Sequence, residues 1–371
     1  MPHIINAGTG LILTSDDGST TINFQGGGVT GMAANPNGMY VKSVTGTQRT
    51  ALTGTTGMLV FDTTQNALTG YTNSQWEFIT SAVPLKQRAI FGYGFVAAVS
   101  SLSNLVSSSG VVATDTTGVG TARYNLAATS YGITGQAMFG YGRVSAEVSM
   151  TNLVSSAGVV STDTTGVGTA RWGLAAAGYG TGLAIFGYGR NNANPTLSMT
   201  NRVSITGVVS TDTTGVGTAR RDIAAASYGT DKAIFGYGEG ASVTAITNLV
   251  SNTGVVATDT LGVGTARYWL AAASYGTDTA IFGYGFATYV NTAVTNKVSN
   301  TGVVSTDTTG VGSGRNQLAA SLYGGDKAIF GFGSTGAATA ITNLVSNTGV
   351  VSTDTAGVGT ARTGLAAATF A

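Results

Sequence analysis

Gly110-Val-Val-Ala-Thr-Asp-Thr116 decides the fold, because the chain writes this phrase, with Ala or Ser at its fourth place, six times. It returns with its carboxylate at Asp115, Asp163, Asp212, Asp259, Asp307 and Asp354. Eight residues after each comes an arginine: Arg123, Arg171, Arg220, Arg267, Arg315 and Arg362. Successive copies lie 47 to 49 residues apart. A period of that size, tiled without gaps, makes each copy one supersecondary unit that buries its face against its neighbours. Residues identical in every copy are most simply scaffold. Function belongs where the copies differ.

Working outward through the copy from Arg220 to Gly264, four short runs lie between turns. Ile223–Tyr228 is rich in Ala, and Lys232–Tyr237 carries Phe-Gly-Tyr. After a variable stretch come Ile246–Ser251 and Val255–Thr260. Each run is too short for a helix, and Val, Ile, Tyr, Phe and Thr dominate, so the copy reads as a meander of four strands. Four strands in about 48 residues is the content of one β-propeller blade. The small residues of the first run suit crowded innermost strands. Large residues on the second run, Ile90 and Phe91 and their equivalents, fill the space between blades, and the repeated Gly beside them marks close approach of another backbone. The array starts in mid-blade at Ala89-Ile-Phe-Gly-Tyr93 and stops at Leu365–Phe370, a first strand with no second strand behind it. Joining the two completes a sixth blade and removes exposed strand edges. The expected fold is all-β: a six-bladed β-propeller over 89–371 closed by a C-terminal strand, plus a small N-terminal β domain over 1–88. A parallel β-solenoid is the competing architecture.

Composition excludes several functions. Of 371 residues only 9% are charged, against about a quarter in ordinary globular chains, and the formal net charge is +1. No basic stripe exists, so no nucleic-acid partner is expected. There is no Cys, which rules out disulfides and thiolate metal sites. The only His is His3. Met1-Pro-His-Ile-Ile-Asn6 shows no signal-peptide pattern, and no uncharged apolar run approaches the ~18 residues of a spanning helix, so no membrane insertion is expected.

The repeat resembles the kelch-type propeller. Thr-Ala-Arg123 before a small apolar strand, Phe-Gly-Tyr-Gly142 closing the next strand, and a variable loop behind it follow that family's order. The family's Trp of the fourth strand is missing. The resemblance implies a binding scaffold. In the first 88 residues, Gly57–Asp62, Asn66–Tyr71 and Gln75–Ile79 read as a three-strand meander, with further strands at Gly8–Ser15 and Thr20–Phe24. Preceded by Arg49-Thr-Ala-Leu52, the meander and its Trp76 strand resemble a module of bacteriophage fibre and virion-surface proteins. That resemblance implies attachment to other virion proteins through residues 1–88, and homo-oligomers, trimers above all.

Candidate chemistry is sparse. The six Asp–Arg pairs read as structural ion pairs, or as Arg donating to turn carbonyls, since every copy has them. A metal ring is not expected, because each Asp has Thr neighbours and lacks the clustered oxygens of a calcium loop. Phe-Gly-Tyr-Gly lacks the Lys and helix of a phosphate loop. Glycosidases need paired carboxylates at a set separation, and Glu77, Glu147 and Glu239 are the only glutamates. No cofactor and no enzymatic activity are expected. The variable positions are the informative ones. Two residues follow each Arg, and they include Tyr124, Trp172, Arg221, Tyr268 and Trp269; such aromatic and polar groups suit sugar or protein recognition. A second variable set follows each Phe-Gly-Tyr-Gly: 95–103, 143–150, 190–199, 239–245, 286–293 and 334–340. The chain thus reads as a non-enzymatic bacteriophage virion structural protein, a fibre or decoration protein at the virion surface that displays a propeller for adhesion to a host-surface glycan or protein. A host-encoded lectin-like or protein-interaction scaffold is the alternative.

Overall fold

The computed structural model describes residues 87–371 throughout. Before them it describes the backbone of 4–7, 10–13, 22–26, 29–35, 38–41, 43–53, 59–62, 67–72 and 75–78, with side chains only within 44–53 and at residue 60. His3 lies outside the described residues, as does the Trp76 side chain. The chain divides into two compact units, Met1–Val83 and Pro84–Ala371.

In the first unit, Ile4–Ala7 pairs with Gly10–Leu13, and Ile22–Gly26, Val29–Asn35 and Gly38–Val41 form an antiparallel meander. Leu59–Asp62, Ala67–Thr72 and Gln75–Phe78 form the second meander that alternation implies, and Ser43–Val44 adds to it in parallel. One element was not anticipated. Gly46–Ala51 is a single helical turn and a half, over residues to which the sequence reading assigned no element. Its cause is local: the Thr45 hydroxyl accepts from Gln48 N (3.2 Å) while Gln48 Oε1 accepts from Thr45 N (2.8 Å), a reciprocal cap that needs only Thr-x-x-Gln.

The second unit is all-β. It holds six separate three-stranded antiparallel sheets, one per copy. In the fourth copy Ala224–Tyr228 pairs with Lys232–Gly236, which pairs with Thr247–Val250. The first strand alternates buried and half-buried positions. Ala224, Ala226 and Tyr228 pack into the core, while Ala225 and Ser227 line a cavity of about 400 Å³ shared by the first strands of all six sheets. First strands of neighbouring sheets share no ladder, and hydroxyls bridge the gap instead: Ser227 Oγ donates to Gly178 O (2.7 Å) and Ser274 Oγ to Ser227 O (2.8 Å). The sheet that begins the unit takes its first strand from its end. Ala366–Phe370 pairs antiparallel with Arg88–Phe95 over Gly92↔Ala366 to Arg88↔Phe370.

The fourth run of each copy differs from the expectation of a full strand. It meets the third strand at two isolated bridges, Val250↔Val256 and Thr247↔Thr260 in the fourth copy. The outer segment has one more residue than its partner between those bridges, so it bulges. Asn248 fills the bulge, donating from Nδ2 to Ala257 O (3.0 Å) and Asp259 Oδ1 (2.9 Å).

The glycines of Phe-Gly-Tyr-Gly explain the spacing between sheets. A Cβ on Gly140 would lie 2.7 Å from Phe186 Cζ; on Gly236, 2.7 Å from Phe282 Cζ; on Gly331, 2.7 Å from Phe91 Cζ. Each sheet therefore receives the Phe of the next, and the sixth receives the Phe of the first. These rings are fully buried, and each contacts the Tyr or Phe beside the receiving Gly, with centroids 5.0–5.1 Å apart.

Candidate binding face

The six repeat arginines are buried completely. Their role is structural in geometry, with two corrections to the simplest reading. The partner is not the Asp eight residues before but the one that follows in the same sheet: Arg123 faces Asp163, Arg171 Asp212, Arg220 Asp259, and Arg362 returns to Asp115. Arg315 faces Asp354 likewise, and Asp307 acts on Arg267. The phrase that defines the sequence period straddles two sheets. The second correction is that these ion contacts are long, 3.4–3.9 Å, and the short bonds go elsewhere. Arg123 donates from Nη2 to Asn152 Oδ1 (2.7 Å), from Nε to Tyr141 O (2.8 Å) and from Nη1 to Thr121 O (3.0 Å). Asn152 then donates to Asp163, which also accepts from the Thr121 hydroxyl (2.6 Å). The guanidinium also lies over the Tyr93 ring of the preceding sheet, 4.4 Å from its centroid. Each Arg so clamps its own sheet and leans on its neighbour. Tyr141, whose carbonyl accepts the Nε bond, sits in the left-handed region at φ 63°. Burial pushes each carboxyl of this set up, but bonds from Thr or Ser, Asn and the backbone, with the Arg charge, hold all six below the usual carboxylate range.

The variable residues come together. Backbone bridges pair each residue after the Arg with the first residue after Phe-Gly-Tyr-Gly: Tyr124 with Arg143, Trp172 with Arg190, Arg221 with Glu239, Tyr268 with Phe286 and Asn316 with Ser334. Phe95 and Thr363 make the sixth pair. The two sets that sequence reading kept apart thus occupy one end of all six sheets. The signal was present: extending the hairpin register of each first and second strand outward sets these residues opposite one another.

Side chains then divide this face into sectors. Phe95 and Tyr124 contact with ring centroids at 5.5 Å. The guanidiniums of Arg143 and Arg190 both stand over the Trp172 ring, at 5.3 and 4.5 Å. Arg221 pairs with Glu239 (2.6 Å). Tyr268, Trp269 and Phe286 cluster, with Tyr268 and Trp269 at 4.6 Å. All five residues singled out from the sequence, Tyr124, Trp172, Arg221, Tyr268 and Trp269, are half-buried, neither fully exposed nor sealed between sheets. Two residues within the variable sets were not singled out from the sequence. Tyr289 is 92% exposed at the tip of the Phe286–Ala287 and Val290–Asn291 hairpin, where Thr288 and Tyr289 both have positive φ (46° and 65°). That turn favours Asn-Gly, so a large exposed ring there is held against local preference.

Asp222 is the other. It belongs to a closed cycle of backbone bonds: Asn125 donates to Gly364, Gly364 to Gln317, Gln317 to Trp269, Trp269 to Asp222, Asp222 to Gly173, and Gly173 to Asn125, at 2.7–2.9 Å. All six residues have φ of 51–63°. The cycle borders a cavity of about 90 Å³ floored by Leu and Ile side chains. The Asp222 side chain is 1% exposed and makes no hydrogen bond of good geometry; Arg221 Nη1 stands at 3.6 Å, and the Trp269 indole, itself otherwise unpartnered, is the other donor that acts on it. Burial pushes its pKa up to about 7, against the pull of Arg221.

Among the described residues no group of three His, Cys, Asp or Glu is placed to hold a metal, and no helix is long and apolar enough to cross a membrane. The chain matches no protein family and no curated protein.

Proposed function

We propose that this chain is a non-enzymatic adhesion protein, a six-bladed β-propeller from residue 89 onward whose variable face binds a host-surface glycan, carried by residues 1–88 on a virus particle. Several features support the propeller. The first strands of six sheets line one cavity, and the last strand pairs with the start of the unit. The Phe-to-Gly contacts and the backbone cycle through Asn125 each return to where they began. The first unit's meander supports the virion part through its likeness to fibre modules.

One observation carries the binding reading: the variable residues after each Arg and those after each Phe-Gly-Tyr-Gly share one end of the sheets, while the repeated Arg, Asn, Phe and Tyr side chains that position them are buried. Selection for folding alone has no reason to gather Trp, Tyr and Arg there. Rigid aromatic rings bind sugar faces at low entropic cost. The Tyr268–Trp269–Phe286 sector, beside which Tyr289 projects, is suited to that task. The test is retention of the full chain on whole bacteria and on purified envelope polysaccharides. Changing Tyr268 and Tyr289 together to Ala should weaken retention about tenfold or more, as loss of aromatic anchors does, with the melting temperature nearly unchanged. Undiminished retention would contradict the reading.

A further inference from the structure

Among the described residues, the sector around Trp172 brings two arginines onto one aromatic ring. Arg221 pairs with Glu239, and the repeat arginines are hydrogen-bonded to Asn and carbonyl oxygens and face an Asp. Arg143 and Arg190 make no ion pair among the described residues and share one indole ring. Two guanidiniums over one ring repel each other; burial, Arg221 and Arg143 disfavour the charge on Arg190, and Asp222 and Glu239 favour it. Arg190 Nε and Trp172 Nε1 have no hydrogen-bond partner within the protein. Glu147, the carboxylate that acts on Arg143, leaves Oε2 without a partner, while its Oε1 accepts from Asn192 N (3.1 Å), tying the loop after Gly142 to the loop after Gly189. Both arginines stand at the roots of these loops, half-buried on the variable face.

We infer that Arg143, Trp172 and Arg190 form a subsite for an oxyanion carried on a sugar polymer, so that the glycan bound by this face is acidic. This rests on the adhesion reading above and names its ligand class. A planar guanidinium matches carboxylate and phosphate in fork geometry, and the indole beneath it keeps the fork in place. An anion between the two arginines would relieve their repulsion, a gain that a neutral sugar cannot provide.

The carboxylate probe is an oligogalacturonate, the neutral control a galacto-oligosaccharide of equal length, and the phosphate probe a glycerol-phosphate polymer, all titrated into the full chain. At least one anionic probe should bind about tenfold or more tighter than the control, weakening as salt rises. Tighter binding of the oligogalacturonate assigns the site to carboxylates, and of the phosphate polymer to phosphodiesters; either supports the inference. Arg143→Gln with Arg190→Gln should abolish the preference. Glu147→Gln keeps the acceptor for Asn192 but removes the competing charge, and should tighten anionic binding severalfold even if the double variant folds poorly. Equal binding of neutral and anionic probes, binding of neither anion, or an unaltered Glu147→Gln variant would overturn the inference. Retention on bacteria that depends on Tyr268 and Tyr289 but not on Arg143 and Arg190 would leave the adhesion reading standing without it.

Discussion

Asp222 shows how one residue departs from the repeat at a measurable cost. Its equivalent in the first copy is Asn125, which takes the same bond in the backbone cycle at φ 51° against 53°. An unfolded Asp releases its proton near pH 4, whereas burial in the fold holds the Asp222 proton to about pH 7. Between those values the folded state binds the extra proton, so stability falls as pH rises across the window and levels off above it. Arg221 at 3.6 Å offsets part of the cost, and Glu239 and Arg190 act on the same group. Asp222→Asn carries no charge and suits the left-handed backbone. It should match the parent's unfolding free energy near pH 4 and exceed it at pH 8, by at most about 4 kcal/mol. A difference that does not change with pH would refute this account of Asp222.

At the scale of elements, the strand order was legible and its edges were not. Alternation and turn residues marked the first three strands of each copy, because half-buried strands must alternate and tight turns need Gly, Asn or Asp. The fourth run looked equally strand-like. It bulges because Asn248 competes for its backbone, and nothing in Thr-Asn-Leu-Val marks that Asn as a partner of the buried Arg220. The Asp–Arg pairing was misread for a related reason: sequence period and sheet boundary are out of phase by part of a copy. Asp222 was equally hidden, since its burial depends on the cycle formed by five other copies. The interlock between sheets makes a direct prediction. Gly236→Ala would set a methyl 2.7 Å from Phe282 Cζ and 3.1 Å from Thr247 Cγ2, costing about 1–3 kcal/mol of overpacking. In a Phe282→Leu background the same change should cost clearly less. Equal costs in both backgrounds, measured by denaturant unfolding, would mean that the two sheets do not interlock there.

On the scale of the whole molecule, a chain with 9% charged residues folds by distributing polar groups sparingly. Buried arginines are shared between sheets, and hydroxyls bridge first strands. The central claim is that six sheets close into a ring, leaving the variable face as a single surface. Closure depends on Ala366–Phe370 pairing with Arg88–Gly92, on Arg362 reaching Asn104 and Tyr93, and on Gly364 completing the backbone cycle. Deleting Gly364–Ala371 removes the strand and the cycle while leaving five sheets intact. The melting temperature of the deleted chain, measured beside the parent, tests this most directly. A closed ring predicts aggregation or a fall of about 10 °C or more, as several kcal/mol of pairing and packing are lost. A deleted chain that stays monodisperse and melts within about 2 °C of the parent would contradict it.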